Sequence, residues 1–151
     1  MLKIRIENLV LNKIQPGKIR HTYPLLFIHG AGGTSRYWKN YLPYFADEGW
    51  EVFAVNLRGH FPSDREEALA QVTMEDYLVD VEKMIRQLDI ANCAIIGHSL
   101  GGLIAQKMAE NNASIKALVT IASAPPFGVM REVNNDLPYS GTILKTMWGM
   151  M

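Results

Sequence analysis

Apolar residues along the chain fall into two kinds of run that alternate. Leu25-Leu26-Phe27-Ile28, Val52-Phe53-Ala54-Val55 within Glu51–Asn56, Ala94-Ile95-Ile96 and the stretch Lys116–Ala122 are short and nearly continuous, the pattern of strands buried on both faces of a sheet. Between them the apolar positions open out to helical spacing. Tyr37, Trp38, Tyr41, Leu42 and Phe45 share one side of a helix starting near Ser35, with Pro43 breaking or restarting it and Gly49 closing it. Thr73-Met74-Glu75-Asp76 reads as a capping box, and Tyr77, Leu78, Val81, Met84, Ile85 and Leu88 then repeat every three to four residues. Leu103, Ile104 and Met108 continue a third helix that ends at Asn111-Asn112, and Ile143, Leu144, Met147, Trp148 and Met151 space a fourth over Thr142–Met151.

The first residues differ. Ile4 and Ile6, then Leu9 and Leu11, alternate with polar positions apart from one break near Asn8, as in a half-buried edge strand. Pro16-Gly17 marks a turn, which predicts an opening hairpin whose second strand is Lys18–His21. Phe61–Val72 is polar and reads as loop with a short helical piece, and Pro125-Pro126 stops the last strand. Strands alternating with helices predict a three-layer α/β domain with a mainly parallel sheet. Residues 1–126 form that core, and 127–151 begin a further lid or cap segment that breaks off while still apolar.

Composition narrows the functional classes. The chain has 151 residues, 48% hydrophobic and 20% charged, enough for one domain with a real core. Fifteen basic residues balance fifteen acidic ones, so no overall field draws the chain to nucleic acid or an anionic membrane. The single Cys93 lies in an apolar run and reads as a small buried thiol, with no partner for a disulfide. Met1–Glu7 lacks a signal-peptide core, which predicts a cytoplasmic protein, and the longest uncharged run, Ala117–Met130, is too short for a membrane span. No phosphate loop and no Cys/His cluster is present, so neither a metal nor another cofactor is expected. Gly30-x-Gly32-x-x-Ser35 follows a strand and opens a helix as a dinucleotide fingerprint does, but Asn56 stands where that site needs an acid.

The chemistry concentrates in Gly97-His98-Ser99-Leu100-Gly101-Gly102. A strand, a sharp turn and a helix in immediate succession lift a serine hydroxyl clear of the sheet, and Gly97 and Gly101 leave no side chain against the turn. The helix start beyond it offers unpaired N–H groups to developing negative charge. Ser99 is the candidate nucleophile.

Together with His29-Gly30-Ala31-Gly32-Gly33 and Leu57-Arg58-Gly59-His60, this stretch resembles the α/β-hydrolase family, from the first strand of its core to the sixth. The resemblance implies an oxyanion hole from the backbone N–H groups of Ala31 and Leu100, shaped by His29, Gly30, His98, Gly97 and Gly101. One such donor is worth about 3 kcal/mol of transition-state stabilisation. The resemblance also implies a serine hydrolase acting on a small acyl substrate, since a serine at this position sets the chain apart from the aspartate-nucleophile dehalogenases and epoxide hydrolases.

Two departures stand out. Asn56 and Phe61 replace the family's usual Asp and Gly, and no histidine follows Ser99, although the family's triad runs Ser, acid, His. His21, His29, His60 and His98 all precede it and read as structural, His29 and His60 at strand ends as residues that orient a loop by hydrogen bond, and Asp136 reads as a turn residue. The resemblance therefore implies that the seventh and eighth strands, the acid and the base are missing, leaving the isolated chain inactive. Lys116–Ala122 is then a bare sheet edge, expected to pair with another copy or with a complementary C-terminal piece. A non-catalytic small-ligand-binding module on the same half-core is the alternative. Tyr37, Trp38 and Phe127 are candidates to line an acyl pocket, with core packing the competing role for the first two.

Overall fold

The computed structural model describes residues 1–64, 71–110 and 112–124. The short helical piece expected between Phe61 and Val72 falls largely on residues outside these. So do the lid segment 127–151, the Thr142–Met151 helix, Phe127 and Asp136.

Six strands form one sheet in the order β1 (Leu2–Ile6), β2 (Leu9–Ile14), β4 (Val52–Asn56), β3 (Leu25–Ile28), β5 (Cys93–His98), β6 (Ile115–Ile121). The pairs β3/β4, β3/β5 and β5/β6 are parallel, whereas β1/β2 and β2/β4 are antiparallel. β3 is apolar throughout, and β4 and β5 are apolar up to their carboxyl ends, because both of their faces are covered. On one face Leu25, Phe27, Val52, Ala54, Ala94 and Ile96 pack under Trp38, Leu42 and Ala46. On the other, Leu26, Ile28, Phe53, Val55 and Ile95 pack under Tyr77, Val81 and Met84 of α2 (Met74–Gln87) and Ile104 and Met108 of α3 (Leu100–Glu110). The result is a three-layer α/β sandwich.

The opening hairpin forms, but with a different turn from the one the sequence suggested. Ile6 faces Leu9 across Glu7-Asn8, with Glu7 at φ 50°, so the break in alternation near Asn8 is itself the turn. Lys18–His21 is not a strand. The Arg20 N–H donates to the Gly49 carbonyl at 3.0 Å and the His21 ring stacks on Trp50 at 3.6 Å, which ties this segment to the sheet's outer layer as it crosses back to β3.

The helix expected from Ser35 onward is also divided. A 3-10 turn, Ser35–Trp38, capped by the Thr34 hydroxyl, precedes α1 (Tyr41–Asp47), whose first turn holds Pro43, where a missing N–H leaves no bond unmade. The change of winding rotates the apolar face, so Trp38 and Leu42 are buried while Tyr37 and Tyr41 are exposed. Gly49, at φ 91°, ends α1: its N–H donates to the Ala46 carbonyl and that of Trp50 to the Phe45 carbonyl. The α2 capping box forms as read, with Thr73 and Asp76 satisfying each other's backbone N–H groups. Among the described residues no helix is long and apolar enough to cross a membrane.

Candidate active site

The carboxyl ends of β3, β4 and β5 bring three glycine-bearing turns together, where ligands bind in open α/β sheets. Ser99 stands alone between β5 and α3 with φ 51°, in the left-handed region that a side chain adopts only under constraint. The constraint is visible. The Ser99 N–H donates to the Ile121 carbonyl at 3.1 Å, and its carbonyl accepts from Gly102, Leu103 and Ala124 at 3.0, 3.2 and 3.1 Å. The turn closes only because of its glycines: a Cβ on Gly97 would strike the Gly101 carbonyl, and one on Gly101 would strike the Ile28 carbonyl of β3. The backbone is thus fixed, while the Ser99 hydroxyl has no hydrogen-bond partner among the described residues.

Gly30–Gly33 is a tight turn closed by the Gly33 N–H donating to the Gly30 carbonyl at 3.0 Å, with Gly32 at φ 71°. It lies against the serine: a Cβ on Gly30 would come within 2.9 Å of Ser99 Cβ. Two imidazoles brace it. His29 Nδ1–H donates to the Gly30 carbonyl at 2.8 Å and its Nε2 accepts from the Leu57 N–H at 3.1 Å. His60 Nδ1–H donates to the Arg58 carbonyl at 2.9 Å and its Nε2 accepts from the Gly32 N–H at 3.1 Å. A carbonyl can only accept, so both rings are fixed as the Nδ1–H tautomer. Neighbouring N–H groups are thereby used, and those of Ala31 and Leu100 have no partner among the described residues.

Three of the four histidines, His21, His29 and His60, are engaged by other partners. His29 is fully buried and burial pulls its pKa from 6.5 down to about 4, so its ring is neutral with both nitrogens occupied. His60 is occupied in the same way. His21 lies on Trp50, far along the sheet, and bonds the Glu48 carbonyl. The His98 ring lies 6.2 Å from that of Tyr37, and its buried Nδ1, set against Gly30 as Ser99 Cβ is, has no hydrogen-bond partner among the described residues. Trp38 packs tilted against Phe27 in the core, whereas Tyr37 stays exposed beside His98. The Cys93 thiol is buried and pushed up to about 11, which keeps it protonated.

Asn56 and Arg58, both named in the sequence, and Asp80, which sequence reasoning passed over, hold the third turn. Asn56 is buried, its Oδ1 accepting from the Ser35 N–H and its Nδ2 donating to the Val10 carbonyl, both at 2.8 Å. An aspartate could not make the second bond, which accounts for the amide at this position. Arg58 makes a two-pronged contact with Asp80 of α2, each arm 2.7 Å. Asp80 is 5% exposed. The available signal was a lone carboxylate between Tyr77 and Met84 on the apolar face of a helix. Among the described residues no group of three or more His, Cys, Asp or Glu side chains could hold a metal ion.

A family profile described as alpha/beta hydrolase fold matches residues 23–140. The chain is 30% identical over 119 residues to the non-heme chloroperoxidase of Streptomyces lividans, covering 78% of this chain and 42% of that protein. It is also 30% identical over 101 residues to epoxide hydrolase 3 of Xenopus tropicalis, covering 67% of this chain and 27% of that protein. Among solved structures, one from work on carboxylesterases of the ammonia-oxidizing Thaumarchaeon Nitrososphaera gargenis superposes with TM-score 0.67 at 29% identity, over 82% of this chain and 46% of that one. The chain therefore spans less than half the length of these relatives.

Proposed function

The chain belongs to the α/β-hydrolase family, and from that premise we propose that it carries the nucleophile and oxyanion hole of a serine hydrolase acting on carboxylic esters or related acyl substrates. One observation carries the reading. Ser99 is held at φ 51° against the Gly30 turn, and among the described residues its hydroxyl and the backbone N–H groups of Ala31 and Leu100 have no hydrogen-bond partner. Donors fixed before reaction need no reorganisation when an oxyanion forms, which is why such pairs are worth several kcal/mol.

In the reaction Ser99 Oγ attacks the acyl carbon, and the carbonyl oxygen becomes an oxyanion held by Ala31 and Leu100. The bond to the leaving oxygen then breaks as an alcohol departs with the serine proton. Water next attacks the acyl-enzyme, releasing the carboxylic acid and restoring the hydroxyl. No base is hydrogen-bonded to the Ser99 hydroxyl among the described residues, and the histidines at 21, 29 and 60 are engaged by other partners. Serine at position 99 favours acyl transfer over the epoxide opening that one relative's name denotes, and the likeness to a carboxylesterase structure agrees with it.

The test is hydrolysis of short-chain p-nitrophenyl esters by the protein as its own cells make it. Turnover should fall at least about a hundredfold in Ser99→Ala with the fold unchanged, given what removal of a catalytic serine costs. Saturable ester binding without turnover, equal in both proteins, overturns the reading. It would instead establish the binding-module alternative.

A further inference from the structure

We infer that His29 is the positioning residue of the oxyanion donor, an inference that rests on reading the Ala31 N–H as that donor. The donor belongs to the peptide that joins Gly30 to Ala31. In a planar trans peptide the C=O and N–H point in opposite directions, so whatever fixes the Gly30 carbonyl also aims the Ala31 N–H. His29 Nδ1–H donates to that carbonyl at 2.8 Å, and the Gly33 N–H donates to the same oxygen at 3.0 Å. A carbonyl oxygen has two lone pairs, and both are then engaged. Donors on the carbonyl also polarise the peptide, which makes the N–H on its far side a stronger donor. That N–H has no partner among the described residues, and its peptide starts at Gly30, where an added Cβ would meet Ser99 Cβ at 2.9 Å.

The Gly33 contact alone leaves this peptide poorly held, because it closes a turn in which Gly30, Gly32 and Gly33 place few steric limits on the backbone. The imidazole adds an anchor on a second strand. His29 follows directly on Ile28, the last residue of β3, and its Nε2 accepts at 3.1 Å from the N–H of Leu57, the residue after the end of β4. An Nε2 that accepts carries no proton, so the Leu57 N–H selects the tautomer whose proton sits on Nδ1 and meets the Gly30 carbonyl. The ring is fully buried and lies edge-on to His60, centroids 4.9 Å apart, so water does not compete for either bond. The ends of two central strands thus set the donor through one side chain.

Two substitutions separate the ring's two bonds. The amide nitrogen of His29→Asn takes the place of Nδ1 and keeps a donor for the Gly30 carbonyl, while nothing reaches Leu57. The amide oxygen of His29→Gln extends to the place of Nε2 and keeps an acceptor for Leu57, while the Gly30 carbonyl loses its side-chain donor. A ring that only filled space would make the two variants alike. The rate at which a fluorophosphonate probe modifies Ser99 should instead fall roughly tenfold or more in His29→Gln and stay within about threefold of wild type in His29→Asn. In the modified wild-type protein the phosphoryl oxygen should draw the amide proton resonances of Ala31 and Leu100 downfield, and in modified His29→Gln the Ala31 shift alone should shrink. Ring 15N shifts of the wild-type protein should show His29 protonated on Nδ1 and bare on Nε2, a readout that stands even where a variant does not fold. A ring protonated on Nε2, or equal rates of modification in the two folded variants, overturns the role of His29 alone. No modification of Ser99 in the wild-type protein overturns the site reading, and this inference with it.

Discussion

A single buried imidazole sets much of the acid sensitivity expected of this protein. His29 titrates at 6.5 when unfolded and at about 4 when folded, because burial disfavours its charged form. Between those values the unfolded chain binds a proton that the folded chain refuses. Stability is therefore complete above pH 6.5 and declines as pH falls toward 4, by about 3 kcal/mol in total from this group. Urea midpoints measured across that range should fall with acid, and the slope should flatten in His29→Gln, which carries no titrating group. At the same scale, Ser99 was legible because glycines on both sides of a serine announce a turn too tight for side chains. The bracing role of His29 and His60 was legible only as proximity to strand ends, since which nitrogen meets which partner depends on a fold formed by residues far apart in sequence.

Among the elements, the junction of β5 and α3 tolerates least change. Gly101→Ala would drive a Cβ into the Ile28 carbonyl of β3, a backbone atom that cannot move aside, so the domain should lose several kcal/mol or fail to fold, as judged by urea denaturation. The contact between Arg58 and Asp80 matters in a different way. Removing the carboxylate in Asp80→Ala takes both 2.7 Å contacts from a half-buried guanidinium and keeps the longer 3.3 Å contact to Asp76. The expected loss is about 3 kcal/mol. Equal urea midpoints for Asp80→Ala and wild type would show that the pair contributes nothing. Elements with a clean period could be read from sequence: α2 has its apolar stripe and both halves of its capping box within four residues. The Ser35–Asp47 region could not, because a 3-10 turn and an α-helix have different periods, and their junction moves Tyr37 and Tyr41 out of the face that Trp38 and Leu42 occupy.

For the whole molecule, the order of strands follows from the sequence only in part. Parallel pairing of β3, β4 and β5 follows from continuous apolar runs separated by helices, whereas the antiparallel β1/β2 pair depends on a two-residue turn at Glu7-Asn8 that the alternation disguised. The sheet has unequal edges. β1 carries Lys3 and Arg5, whose charges discourage pairing, but β6 exposes Leu118, Val119 and Ile121 and has no strand beside its outer edge among the described residues. Sedimentation of this chain should therefore show association that grows with concentration, and Val119→Lys should suppress it. A monodisperse monomer at all concentrations would contradict that expectation.

The central claim is that Ser99 is a preorganised nucleophile facing two waiting N–H donors. It is tested most directly by exposing the natively produced, folded protein to a fluorophosphonate probe, measuring its intact mass and mapping the modified peptide. The account predicts one added phosphonyl group, on Ser99, formed by the folded protein and not by the same protein unfolded in urea. A folded protein that stays unmodified, or that carries the group on another residue, contradicts it.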